Sequence, residues 1–219
     1  MYAREVDGTV LTFFLSGLQW RQGLVLEDQE THTSWSQMLG LAVDGAQQGT
    51  KLAVFPSLFT TWGLWKSRYP ATTVGALQRI TNDYHRDMYE HFDHDAKMLV
   101  GLANEVNAKD WHFSDLHKQN LANDQFDGRP VIVYFDSSTG TPVIHVRQSD
   151  GQELHFFEKT SGVFDVETGS EWDLLRGVAV RGLLKGKQLT TLPAMISYIE
   201  AWRRFHPDSQ SWVRSEDPK

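Results

Sequence analysis

The stretch DQETHTSWSQMLGLAVDG, residues 28–45, returns as DVETGSEWDLLRGVAVRG at residues 165–182. Carried outward, residues 28–70 align without a gap to residues 165–207, at a constant displacement of 137. Identical pairs begin with Asp28/Asp165, Glu30/Glu167, Thr31/Thr168 and Trp35/Trp172. They continue through Gly40/Gly177, Gly45/Gly182 and Gly49/Gly186 to Pro56/Pro193, Trp65/Trp202 and Pro70/Pro207. A match of that length in one register marks an internal duplication.

Each copy reads in the same order. Asp-x-Glu-Thr is a turn in which Asp bonds backbone two residues on. A strand follows, opened by Trp35 or Trp172, and the glycines then mark turns that need positive φ. After Pro56 or Pro193 the apolar period lengthens: Phe59, Trp62 and Trp65 recur at threes, as do Ile196, Ile199 and Trp202. That spacing predicts a short amphipathic helix closing each unit, with Pro in its first turn and Pro70 or Pro207 beyond its end. Ahead of the second copy, PVIVYFD, TPVIHVR and QELHFFE read as strands around the turns SSTG and SDG.

The first copy starts at YAREVDGTVLTFF, where Asp7-Gly8 answers Asp150-Gly151, and nothing precedes it to match residues 128–145. About two strands are missing at ordinary strand length. A sheet lacking its outer strands leaves backbone donors and acceptors open. The units share a sheet, or a second chain covers the edge in a homo-oligomer, or the sequence is a fragment. Between the copies, Leu77, Ile80, Tyr84 and Met88 fit a helix stripe, KMLVGLANEV a strand, and FSDLHKQN a helical turn opened by Ser114 or Asp115.

The predicted fold is therefore β-rich α+β. A first unit spans residues 1–70, a crossover 71–127 and a second unit 128–219, together one compact domain. The 219 residues carry 40% apolar and 22% charged residues, a soluble globular composition. A formal net charge of −7 without a basic cluster argues against nucleic acid as a partner. The absence of cysteine removes disulfides and thiolate chemistry. Residues 10–18 are too short and too polar to span a membrane, and no signal peptide is read at the N-terminus.

These stretches resemble the family of unknown function numbered 3179. The resemblance rests on DQETHTSWSQMLGLAVDG with TTWGLWKSRYP, on DVETGSEWDLLRGVAVRG with AWRRFHPD, and on YHRDMY, KMLVGL and AKDWHFSDLHKQNLANDQFDGRPVIVYFDSSTG between them. It implies the same duplicated architecture and an extracytoplasmic location. Many members carry an N-terminal export signal or lipoprotein anchor and a Cys-Pro-x-Cys-Gly-like stretch. This sequence has neither, so no thiol-based metal or redox role carries over.

Three groups are candidate sites. Read as a helix, residues 86–95 put Asp87, His91, His94 and Asp95 at i, i+4, i+7 and i+8, on one face. Asp87, His91 and His94 would suit a divalent transition metal, whose bound water would be a nucleophile near neutral pH. The competing reading is a solvated face or a loop. Arg86, Asp87 and Tyr89 match the family motif; they could clamp a carboxylate-bearing ligand or pin the crossover. Trp35, Trp172, Trp65 and Trp202 read as core anchors, whereas the unduplicated Trp20, Trp62, Trp111 and Trp212 are candidate exposed platforms for a sugar or peptide. The paired carboxylates Asp28/Glu30 and Asp165/Glu167 suit acid–base work, yet their duplication fits a turn better. Gly-x-Ser-x-Gly, His-Glu-x-x-His and Gly-x-Gly-x-x-Gly do not occur. The expected function is a non-catalytic ligand-binding or scaffold module acting at the cleft between repeats on a small molecule, sugar or peptide. A metal-dependent hydrolase or oxidoreductase is the alternative.

Overall fold

The computed structural model describes residues 1–74 and 94–214. The first copy supplies the hairpin β1 (Glu5–Val6) and β2 (Thr9–Val10). It then forms a four-stranded sheet of β3 (Phe13–Trp20), β4 (Gly23–Asp28), β5 (Ser34–Ser36) and β6 (Leu41–Asp44), followed by α1 (Trp62–Arg68). Next come α2 (His94–Lys97), β7 (Met98–Ala103), β8 (Ala108–His112), α3 (Phe113–Leu116) and β9 (Leu121–Phe126). The second copy is led by β10 (Arg129–Asp136), β11 (Thr141–Val146), β12 (Gln148–Ser149) and β13 (Gln152–Glu153). Its own sheet is β14 (Phe156–Lys159), β15 (Gly162–Asp165), β16 (Glu171–Asp173) and β17 (Val178–Arg181), and β18 (Met195–Tyr198), α4 (Ile199–Phe205) and β19 (Gln210–Ser211) close the described chain. The architecture is β-rich, with antiparallel sheets, short helices and one parallel pairing, β19 on β8. Among the described residues the units do not share a sheet: β3–β6 and β14–β17 are separate.

The duplication is visible bond by bond. Trp35 donates its indole N–H to Asp28 Oδ2 at 2.8 Å, and Trp172 donates to Asp165 Oδ2 at 2.8 Å. Asp28 and Asp165 each accept a backbone N–H at 2.6 Å, from Thr31 and Thr168. The side chain thus reaches three residues on rather than two. The turn residue in left-handed conformation is His32 (φ 55°) in one copy and Gly169 (φ 67°) in the other. Phe13 meets Trp35 edge-on at 5.7 Å, as Phe156 meets Trp172 at 5.6 Å. Both tryptophans are buried, each in its own unit's core, beside Leu11, Ala42 and Leu52 or beside Leu154, Ala179 and Leu189. The glycine pair Gly45/Gly182 is required sterically: a β-carbon would lie 2.9 Å from Thr33 Cα or 2.7 Å from Ser170 Cα. A third use of the turn, at Asp136–Thr141, joins β10 to β11, with Thr139 donating to Asp136 at 3.0 Å.

The repeat reaches further upstream than the ungapped match. Leu11 donates to the Arg4 carbonyl as Leu154 donates to that of Arg147. Tyr2 bridges Val54 as His145 bridges Thr191. These pairs stand 143 apart, against 137 beyond Asp28. The difference is taken up in the β3–β4 hairpin, which is longer than β14–β15 and turns through Arg21 and Gln22, both at positive φ. Its tip reaches the other copy: Trp20 packs edge-on against Phe205 at 5.5 Å, and Arg21 donates to the Arg204 carbonyl at 3.3 Å.

The segments after Pro56 and Pro193 cross over. Arg68 on α1 pairs with Asp173 of the second unit at 3.0 Å, and Thr141 donates to Thr60 at 2.8 Å. In return, Phe205 on α4 fills the space above Gly23 of the first unit. Neither proline starts a helix. Each precedes an extended stretch, because a chain that must cross to the neighbouring unit needs reach before it coils. Thr61 then caps α1 by accepting the Leu64 N–H at 3.3 Å.

The two helices differ in what covers them. α4 buries Trp202 and Phe205, whereas α1 has no buried residue. Closure of each unit by its own amphipathic helix is therefore not borne out: α1 buries no residue, and α4 packs on β7 and on Gly23 of the first unit. The cause lies in β18, which pairs antiparallel with β7 and brings that strand beneath α4. The corresponding residues 58–61 form no strand. QELHFFE likewise splits into β13 and β14 around the buried Leu154. A further core lies between the β7–β8 and β9–β11 sheets, built on Val100, Trp111, Val131, Val133, Phe135 and Ile144.

Candidate functional site

The crossing arms create two clefts that the duplication relates to each other. The first, about 850 Å³, lies between the first arm (Pro56, Leu58, Trp62, Trp65, Tyr69) and the second unit (Leu175, Arg176, Val178, Gln188, Thr191). The second, about 780 Å³, lies between the second arm (Pro193, Met195, Trp202, His206) and the first unit (Met38, Leu39, Leu41, Lys51, Val54). Shifted by 137, the walls correspond: Met38 to Leu175, Leu39 to Arg176, Leu41 to Val178, Lys51 to Gln188 and Val54 to Thr191. The second cleft also has Gly101 and Ala103 of β7 in its wall. Its rim carries the Lys51–Glu105 pair at 2.9 Å, and burial pushes the Tyr2 phenol up to about 12, keeping it protonated at neutral pH.

Chemistry around the clefts is subdued. Burial pushes the Asp28 carboxyl up. The indole of Trp35 and the bonds from Thr31 and Thr33 outweigh it and hold Asp28 below the usual range. Glu30 is held low by the Thr12 amide, which donates at 2.7 Å. Burial raises Glu167, and the His155 amide at 2.8 Å and ring at 2.7 Å more than reverse that. These carboxylates are hydrogen-bonded anions within turns and do not hold a proton to donate near neutral pH. Asp110 is fully buried, where desolvation opposes ionisation. Contacts from His112, Ser209, Ser211 and Arg203 prevail and keep it ionised. It accepts from Ser209 at 2.5 Å and Ser211 at 2.8 Å, binding β8 to the chain after α4.

The tryptophans divide. Trp62 is 52% exposed and lines the first cleft, with the Lys66 ammonium 5.8 Å from its ring. Trp20 is half-buried against Phe205 and serves the contact between copies. Trp111 is not a platform: it is fully buried, and its N–H donates to Asp124 at 3.0 Å. The reason is strand alternation, which turns Trp111 inward from β8 onto the core under β10. Trp212 packs partly buried on that same core. Arg86, Asp87, Tyr89 and His91 lie outside the described residues. His94 enters α2 by its backbone alone, so the proposed metal set has no described geometry. Among the described residues no three His, Asp or Glu side chains are grouped to hold a metal ion.

The sequence placed a site at the cleft between the repeats but did not name its walls, because they come from opposite copies. The signal lay in the apolar pairs Met38/Leu175 and Leu41/Val178, repeated in one register. No helix among the described residues is long and apolar enough to cross a membrane.

Fold and clefts together define a duplicated, β-rich protein with exchanged arms. The sequence model of the family described as "Protein of unknown function (DUF3179)" matches it twice, over residues 1–102 and 93–209, and the chain belongs to that family. Each match takes in one copy of the repeat. No curated protein and no solved structure matches the chain.

Proposed function

We propose that this protein is a non-catalytic binding module whose ligand, an apolar or amphipathic small molecule or peptide, seats in the clefts between the repeat units. One observation carries the reading: the duplication builds the same cleft twice, from one unit's arm and the other unit's sheet. Pockets of several hundred Å³ with apolar walls and a few polar groups are the usual form of a ligand site. The carboxylates that the duplication repeats are committed to turns, which leaves binding rather than proton transfer as the shared property.

The test is a titration with anilinonaphthalene sulfonate, followed by its fluorescence, on protein shown to unfold cooperatively. Saturable enhancement is expected, with two sites. Leu41→Trp should remove one and Val178→Trp the other, because each fills its cleft. Enhancement that neither substitution changes, or none at all, ends this reading.

A further inference from the structure

The covered helix of the second copy shows what the bare helix of the first copy is shaped to receive. Around α4, the indole N–H of Trp202 donates to Ser209 at 2.8 Å, and His206 lies on the indole at 4.2 Å. Around α1, Trp65 donates to Thr72 at 3.0 Å, and Tyr69 lies on the indole at 4.4 Å. Even the residues after the helices agree, Tyr69 at φ −128° and ψ 70° and His206 at φ −131° and ψ 68°. The helices and their flanking residues share one local geometry, and their surroundings differ.

In the second copy a β-hairpin fills those surroundings. β7 pairs with β18 in the register Met195↔Gly101, Ile196↔Val100, Ser197↔Leu99 and Tyr198↔Met98. Gly101 sits beneath Trp202, where a β-carbon would lie 2.5 Å from the ring. β8, paired to β7, presents Asp110 to Ser209. In the first copy the equivalent Leu58–Thr61 stretch is extended, and among the described residues the backbone of Leu58, Phe59 and Thr60 makes no hydrogen bond to other backbone. Phe59 is 55% exposed and Trp62 52%. Open backbone beside exposed aromatics is the arrangement that takes an added strand.

We infer that residues 58–61, with α1 above them, form an acceptor site for a β-hairpin of a second polypeptide, entering antiparallel as β7–β8 does, with glycine beneath Trp65 and an acidic residue toward Thr72. The inference stands on the comparison of the two arms and not on occupancy of the clefts. An acidic residue in the second strand completes the relay, Trp65 to Thr72 to carboxylate, that Asp110 completes for Trp202 and Ser209. Glycine is demanded because an indole in van der Waals contact with backbone leaves no room for a side chain.

The probe is a fluorescein-labelled peptide with the sequence of residues 97–113 of this protein, titrated into the full chain and followed by anisotropy. Saturable one-to-one binding is expected. A peptide carrying Gly101→Leu should bind at least ten-fold more weakly, as should the parent peptide to Trp65→Ala protein. The peptide variant does not touch the fold of the protein, so a folding defect cannot imitate its effect. In the free monomer, the Leu58, Phe59 and Thr60 amides should exchange fast, and slow on adding peptide. Absence of binding, equal binding of the Gly101→Leu peptide, or protection of those amides in the free monomer overturns the site. The last outcome would mean that the chain's own residues already fill it. None of these results depends on the anilinonaphthalene sulfonate titration, so the two readings fail separately.

Discussion

The indole of Trp202 occupies the space where a side chain on Gly101 would begin, since a β-carbon there would stand 2.5 Å from the ring. The contact holds α4 against β7 and so ties the second copy's arm to the strand before it. Gly101→Val should destabilise the protein by about 1–3 kcal/mol, the range for overpacked interiors. Gly63 is the contrast. It lies in α1 with nothing within 4 Å of its β-carbon position, so Gly63→Ala should stabilise by about 0.5–1 kcal/mol through helix propensity. Urea unfolding of both variants measures the opposite signs.

Asp28 and Asp165 should prove interchangeable in cost. Removing either carboxylate strands one buried indole N–H and one turn amide. Asp28→Ala and Asp165→Ala should each cost about 1–3 kcal/mol, the penalty of a buried polar group left unpaired. Equal losses by chemical denaturation are expected. A neutral result for one of them would mean that the two turns are not equivalent.

His145 makes stability depend on pH. Its Nε2–H donates to the Leu174 carbonyl at 2.7 Å, and Nδ1 accepts from Thr191 at 3.0 Å. Gly177 leaves room for the ring. Burial lowers its pKa; the bond to Leu174 and the charge of Asp173 only partly oppose that. The unfolded chain therefore binds this proton more readily than the folded one. The contribution is complete above the unfolded value of about 6.5 and is lost progressively as pH falls from there toward the lowered folded value. His206, also lowered by burial, acts in the same direction. Unfolding free energy should drop as pH falls below about 6.5, and His145→Gln should flatten part of that slope.

Trp20 and Trp62 should separate structural from surface roles. Trp20→Ala removes the edge-on contact to Phe205, worth about 0.5–1.5 kcal/mol beyond the buried area, and should lower the thermal midpoint. Trp62 has no comparable burial, and Trp62→Ala should change stability by less than about 0.5 kcal/mol. If Trp20 were a platform held ready for ligand, the ranking would invert.

The turns and the inward tryptophans were legible in the sequence because they are local. Asp, Thr and Trp interact within seven residues of one another, and their spacing recurs intact in both copies. Sheet order followed from the same economy, since antiparallel neighbours are joined by short turns. The length difference in the β3–β4 hairpin was also written in the sequence, as a change of displacement between the start of the repeat and Asp28.

What the chain alone determined is the duplicated unit: its turns, its strands and the residues that face its core. Tertiary structure decided where each arm goes, which helix is covered and which tryptophan is wet. Trp65 and Trp202 stand at equivalent repeat positions in the same local geometry, yet one is half-buried and the other sealed. The difference comes from β7, whose residues lie 94 to 100 positions along the chain from their partners in β18. Burial is a property of what packs against a residue, and no periodicity within an arm can report the presence of a distant strand.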